Sequence, residues 1–288
     1  MRSSVVAPSP FDVRGPLANR ARIWREPALG NAELLRATYR AHQFPPHAHD
    51  EYAIGFIERG AQAYTRGRKE RLIMPTGTIC VVNPGQLHEG RGATEIGWDY
   101  RMIYIPPEAL ARALAGAEPV DVGKLPFFAQ SVIDDMATLQ ALHAAHLCSE
   151  SPDTSQLEKT SRLVHALRQL VTRHGQGVPL ANLPRAEPGA VRRAREFIDA
   201  NVAANPSLDD IASAAAMSPF HLLREFKKAV GLPPHAYLVQ RRVDEARRLM
   251  LKGRALRLVA IDVGYSDQAH FSREFRRFYG VPPSTALR

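Results

Sequence analysis

Arg224-Glu225-Phe226-Lys227-Lys228-Ala229-Val230-Gly231-Leu232-Pro233-Pro234 returns 49 residues later as Arg273-Glu274-Phe275-Arg276-Arg277-Phe278-Tyr279-Gly280-Val281-Pro282-Pro283. A repeat of this kind means two copies of one supersecondary unit. Each copy is basic, carries its aromatic and apolar residues at helical spacing, and stops at a glycine followed by two prolines. Glycine just past the last turn and proline beyond it are helix-stop signals.

Upstream of each copy lies a shorter helical stripe. In the first it is Leu208, Ile211, Ala212 and Ala215; in the second, Leu256, Val259, Ala260 and Val263, followed by a turn at Gly264. Ser218, ahead of Pro219, and Asp267 stand where a side-chain oxygen accepts from the free N–H groups of the next helix. Leu222, Phe226 and Val230 bury in the first copy, and Phe271 and Phe275 in the second. That leaves Phe220, His221, Leu223, Arg224 and Lys227 outside in one, and Gln268, Ala269, His270, Arg273 and Arg276 in the other. Between the copies, Pro234 to Leu251 reads as one helix of 18 residues, roughly 27 Å long. Successive major grooves on one face of B-DNA lie about 34 Å apart, so one chain can place two recognition helices in adjacent grooves. A single Arg-Glu-Phe-Lys-Lys helix would be read as a solvated amphipathic face; two copies with matched turns favour DNA.

These residues carry a resemblance to a family. The segment 191–285 resembles the DNA-binding domain of the AraC/XylS family of bacterial transcription regulators. The match runs through Gly231-Leu232-Pro233-Pro234-His235-Ala236-Tyr237, Arg241, Ala246, Gly264-Tyr265-Ser266-Asp267, Phe271-Ser272-Arg273-Glu274-Phe275 and Gly280-Val281-Pro282-Pro283. The resemblance implies that Phe220, His221, Leu223 and Arg224 face bases from one helix, and Gln268, Ala269, His270 and Arg273 from the other. Lys227 and Arg276 join them as DNA contacts. The chain departs from the family at Ala286, where an aromatic residue usually stands.

The N-terminal half reads differently. Tyr52, Ile54 and Phe56 alternate with Ala53, Gly55 and Ile57; Trp98, Tyr100, Met102 and Tyr104 share a strand face; Asn83-Pro84-Gly85 is a turn. Short strands punctuated by Gly and Pro suggest a barrel or sandwich. Pro46-His47-Ala48-His49-Asp50-Glu51-Tyr52 and Asn83-Pro84-Gly85-Gln86-Leu87-His88-Glu89 resemble the two histidine-bearing turns of a cupin barrel. His47 and His49 alternate and so face one side; with His88 they offer three nitrogens. Metal-binding cupins carry a Glu four residues past the second His, and Ala53 stands there. The expected site is therefore an organic-effector pocket formed by His47, His49, Glu51, Tyr52, His88 and Trp98, with no metal and no cofactor assigned. Ile133, Met136, Leu139, Leu142 and Leu147 form one helical stripe, and Leu157, Val164, Leu167, Leu170 and Val171 another, with Asp153 as its cap. Either stripe can be core or pack on a partner subunit.

The fold expected is thus two-domain: an N-terminal cupin-like β-barrel with flanking helices, and an all-α C-terminal domain of two helix-turn-helix units on a connecting helix. Boundaries fall at a 1–22 arm, a 23–174 sensor, a Pro/Gly-rich linker over 175–189, and a reading domain over 190–288. Net charge is +9 over 288 residues, with 17 Lys+Arg against 11 Asp+Glu in 186–288, which favours polyanions. Two dispersed cysteines, Cys80 and Cys148, build no zinc knuckle or disulfide framework, and cannot form the metal-bound reactive cluster of an alkyl-accepting repair protein. No apolar run is long enough to span a membrane, and the N-terminus lacks a signal-peptide core, so a cytoplasmic site is expected. The reading is a sequence-specific transcription regulator and not an enzyme. Its expected partners are operator DNA, a small-molecule effector, a second copy as a homodimer, and RNA polymerase. The alternative is a metal-dependent cupin enzyme fused to a DNA-binding module.

Overall fold

The computed structural model describes residues 19–67, 70–115, 125–177 and 188–287. Residues 1–18 of the expected 1–22 arm and 178–187 of the expected 175–189 linker lie outside them. Strands β1 (Arg20–Glu26), β2 (Ala32–Tyr39), β3 (Gln43–His47), β4 (Tyr52–Arg66), β5 (Glu70–Pro75), β6 (Ile79–Val82), β7 (His88–Gly92) and β8 (Trp98–Ile105) come first. Helix α1 (Pro107–Ala115), short strands β9 (Pro126–Phe127) and β10 (Val132–Ile133), helices α2 (Met136–Glu150) and α3 (Gln156–His174), and β11 (Gln176–Gly177) follow. β1 starts inside the stretch expected to be arm, paired in register with β2 from Arg20↔Thr38 to Glu26↔Ala32.

β4 belongs to both layers of the barrel. Its first half pairs with β8 and β6, and its second half with β5 and β7. The crease falls where the β4–β8 register shifts between Ile57 and Arg59, just before Gly60 at φ +75°. A side chain at Gly60 would meet the Gly97 carbonyl at 2.0 Å, so only glycine fits the bend. Period two then sorts the strands. Ala53, Ile57, Trp98, Tyr100, Met102 and Tyr104 face the barrel interior, whereas Tyr52, Ile54 and Phe56 pack outward against Leu142, Leu163, Leu167 and Leu170 of α2 and α3. Both faces of β4 are dry because those helices cover one of them.

Two details correct the sequence reading of this region. Ile133 lies on β10, opposite Ile79, because Asp135 caps α2 by accepting from Thr138 N–H. Met136 and Leu147 are exposed, and Leu142, Ala145 and His146 make the buried face instead. Ser155, not Asp153, caps α3 by accepting from Glu158 N–H, and Leu157 at its start is 78% exposed.

The C-terminal region holds seven helices among the described residues: α4 (Gly189–Ala200), α5 (Leu208–Ala215), α6 (Pro219–Val230), α7 (Pro234–Leu251), α8 (Leu256–Asp262), α9 (Gln268–Tyr279) and α10 (Pro283–Ala286). Its two halves are built differently. The first encloses its own core from Ile198, Ile211, Leu222, Phe226 and Leu238. The second, with Val243, Val259, Phe271, Phe275 and Tyr279, is continuous with the barrel interior. Tyr39 Oη donates to Tyr279 O at 2.7 Å, and Gly280, at φ +70°, leaves no room for a side chain beside the Tyr39 ring. Ion pairs run alongside: Arg241–Asp50 at 2.8 Å and Arg247–Glu33 at 3.0 Å.

Candidate functional site

The reading face is formed by α6 and α9. Ser218 accepts from His221 N–H and Asp267 from His270 N–H, the two caps expected of the sequence. The second bond draws the exposed Asp267 carboxyl below its ordinary pKa. Both helices end on left-handed glycines, Gly231 and Gly280, so the capped and terminated segments are equal in length. Leu222 and Phe226 are fully buried on α6, and Phe271 and Phe275 on α9. That anchoring turns Phe220, His221, Leu223, Arg224 and Lys227 outward, together with Gln268, Ala269, His270, Arg273 and Arg276; all ten are exposed. Arg224 is braced on its own helix by Glu225 and His221, each at 3.1 Å. Side chains of this kind, carried near a helix N-terminus, meet base edges, and flanking cations meet phosphates.

The second site is a cavity in the barrel of about 60 Å³, room for several waters at about 10–15 Å³ of probe volume each. His47 and His88 face one another across the β3–β7 ladder, and His49 lies two residues farther on. Their ring centroids are 4.2 Å apart for His47–His88, 4.8 Å for His47–His49 and 5.0 Å for His49–His88. Burial pushes His47 down to about 4, and takes His49 and His88 well below the ordinary imidazole value, reinforced by their neighbours' charge. The three rings are therefore neutral at pH 7. Tyr64, Tyr100 and Tyr104 complete the barrel side of the cavity.

Glu51, Tyr52 and Trp98 do not line it. Tyr52 points to the other sheet face, its hydroxyl donating to Pro126 O at 2.7 Å. Trp98 is fully buried in the core between Tyr39 and Phe44. Glu51 turns toward Arg247, 3.9 Å away. The roof comes from the reading domain: Gln240 and Asp244 of α7, Phe278 and Tyr279 of α9. Burial raises the Asp244 carboxyl to about 6. Gln240, Asp244 and Arg247 recur at helical intervals on α7, a polar stripe that in sequence reads as a solvated face, yet Gln240 and Arg247 are buried.

A profile of the AraC-like ligand-binding domain matches residues 29–170, and a helix-turn-helix domain profile matches 211–288. The HTH-type transcriptional regulator YbfI of Bacillus subtilis is 33% identical over 79% of this chain and 81% of its own. The chain belongs to the AraC family of transcription regulators. The arabinose operon regulatory protein of Escherichia coli is 23% identical, over 81% of this chain and 79% of that protein. The crystal structure of unsaturated fatty acid-bound ToxT from Vibrio cholerae covers 92% of both chains at a TM-score of 0.55 and 12% identity, a likeness of fold. AraC-family regulators pair an N-terminal ligand-binding domain with a C-terminal DNA-binding one, and both are present here, packed on one another. No helix among the described residues is long and apolar enough to cross a membrane.

Proposed function

We propose that this AraC-family regulator reads its operator through α6 and α9 and is controlled by what occupies the barrel cavity. The observation that carries the reading is the roof: Phe278 and Tyr279, which cover the histidines, belong to the same helix that exposes Gln268, His270 and Arg273. An occupant that pushes on the roof must move α9, and a ligand shifts such an equilibrium only by its differential affinity for the two placements. A fatty acid of the kind named for ToxT does not fit 60 Å³ without lifting α7 and α9. Arg241–Asp50 and Arg247–Glu33 oppose that lift. The chain acts in the cytoplasm on double-stranded DNA, as a homodimer in contact with RNA polymerase. The relatives are regulators, which supports a regulatory and not an enzymatic role.

The test begins by selecting operator sequences from a random duplex pool with the full chain. Binding is then measured for Phe278→Ala, which thins the roof and leaves every base-facing side chain in place. Affinity for the selected site should change at least several-fold, with affinity for random duplex unchanged. Equal behaviour of the two proteins on both DNAs would disconnect the cavity from the reading face.

A further inference from the structure

We propose that His47, His49 and His88 bind one divalent transition-metal ion of the zinc class, with a fourth coordination position left open toward the roof. This goes beyond the regulatory reading and stands without it.

Three observations converge. First, the ligand atoms of the three side chains all lie within 4.8 Å of one another. Nitrogen pairs in a tetrahedral site with Zn–N of about 2.0–2.1 Å are roughly 3.4 Å apart, so side-chain rotations of about an ångström close the site. Two of the rings face each other across the β3–β7 ladder, and the turn bearing His88 is tied to the third by Gly85 N–H donating to His49 O at 2.7 Å.

Second, the rings are held in the form a metal requires. His47 Nδ1 lies 2.7 Å from Pro45 O, and His88 Nδ1 lies 2.9 Å from Gln86 O. A carbonyl oxygen only accepts, so each Nδ1 carries the proton and each Nε2 presents a lone pair. Fixing the tautomer of a ligating histidine through its other ring nitrogen is the usual outer support of a metal site. Two separate backbone carbonyls provide it here.

Third, the cavity and its lining suit a metal ion. About 60 Å³ accepts an ion and a few waters. Three neutral imidazoles suit zinc, copper, iron or nickel better than magnesium or calcium, and three protein ligands with an open position is the arrangement of a site that takes a further ligand. The nearby cation Arg247 is countered by Glu33 at 3.0 Å and Glu51 at 3.9 Å, and Asp244 lines the cavity as an anion or a neutral acid. Among the described residues no other group of three such side chains is drawn together in this way.

The experiment uses the untagged full chain, stripped with chelator and titrated with Co²⁺, then Zn²⁺. Visible d–d absorption and metal content by mass spectrometry are the readouts. Expected is one saturable equivalent per chain at micromolar Co²⁺, displaced by Zn²⁺, and a Tm that rises with metal concentration, since a ligand bound only by the native state stabilises it. His49→Gln and His88→Gln should each lose the absorption band and the Tm rise, and His235→Ala, on the exposed start of α7, should keep both. Should His88→Gln fail to fold, His49→Gln and His47→Gln decide the matter alone. No saturable uptake, or uptake equal in the Gln variants and the parent, overturns the proposal and leaves a hydrated histidine cluster. Uptake with no effect on operator affinity keeps the metal site and removes the control attributed to the cavity.

Discussion

Arg247→Met tests the seam between the two domains most directly. The side chain is 6% exposed, its Nε lies 3.0 Å from Glu33 Oε2, and its guanidinium covers the rings of Tyr104 and Tyr279 at 5.4 and 5.5 Å. Methionine keeps most of the apolar stem and removes the charge. Glu33, 11% exposed at its side chain, then keeps only Arg25, 3.2 Å from its other carboxylate oxygen. Breaking a buried pair from one side costs about 3–5 kcal/mol, most of it the desolvated partner. The Arg247 and Glu33 atoms face each other off the hydrogen-bond line and Arg25 still faces Glu33, so the expected loss falls below that range, about 2 kcal/mol. Adding Glu33→Gln should recover part of it, because the under-compensated charge goes, offset by the loss of the Arg25 pair. Urea unfolding followed by tryptophan fluorescence isolates the effect, since Trp24 and Trp98 both lie in the barrel, whereas ellipticity at 222 nm follows the helices. A shift in both probes for Arg247→Met, partly reversed in the double variant, is the expected result. A barrel transition unmoved by the loss of a side chain on α7 would refute the continuous core and the latch together.

Other consequences are equally open to measurement. Arg273→Ala should cost about 1–3 kcal/mol on the selected operator and little on random duplex, as expected for a lost bidentate arginine–guanine pair; equal losses on both would make it a phosphate contact. Gly280→Ala should lower Tm measurably, because a left-handed φ of +70° and the Tyr39 ring both oppose a side chain; an unchanged Tm would show that the seam yields. His146 is fully buried, its Nδ1 3.0 Å from Arg101 Nη1, and burial draws it down to about 3. Its folded pKa lies below the unfolded one, so stability is complete above about pH 6.5 and falls as pH drops toward 3, by roughly 2–3 kcal/mol at pH 4.5. His146→Gln should reduce the loss between pH 7 and 4.5 in urea titrations by that amount, the remainder belonging to His47, His49 and His88, and an undiminished loss would remove His146 from the acid sensitivity.

The parts legible in the sequence were those written in local pattern. The repeat located α6 and α9, and α7 runs from Pro234 to Leu251 as its spacing predicts. The alternation at 52–57 sorted side chains to the right faces of β4, and Pro46–Tyr52 with Asn83–Glu89 brought the histidines together. Tyr52 shows where this ends. Alternation says that it faces away from Ala53, but not which of two buried faces is the cavity, because α2 and α3 dry the outer one. Trp98 shares a face with Tyr100 and is still packed behind Tyr39 and Phe44, a matter of depth along the barrel that periodicity does not encode. Asp153 lost the cap to Ser155 by two residues, the scale on which helix starts are ambiguous. Gln240, Asp244 and Phe278 were missed for a different reason: they complete a site whose histidines lie some 150–230 positions away in sequence.

The unequal cores of the two helix-turn-helix halves bear on how such regulators can be recombined. Joining the sensor of one relative to the reading domain of another at the Pro/Gly-rich stretch 175–189 exchanges the whole C-terminal region at once. Yet α7, α9 and α10 carry a surface shaped to this barrel, through Arg247, Phe278, Tyr279 and Gly280. A chimaera cut there inherits a lid made for a different vessel. The transplantable unit is the first half, which closes on itself; the second half travels well only together with residues 19–51 and 104, the partners against which it is fitted.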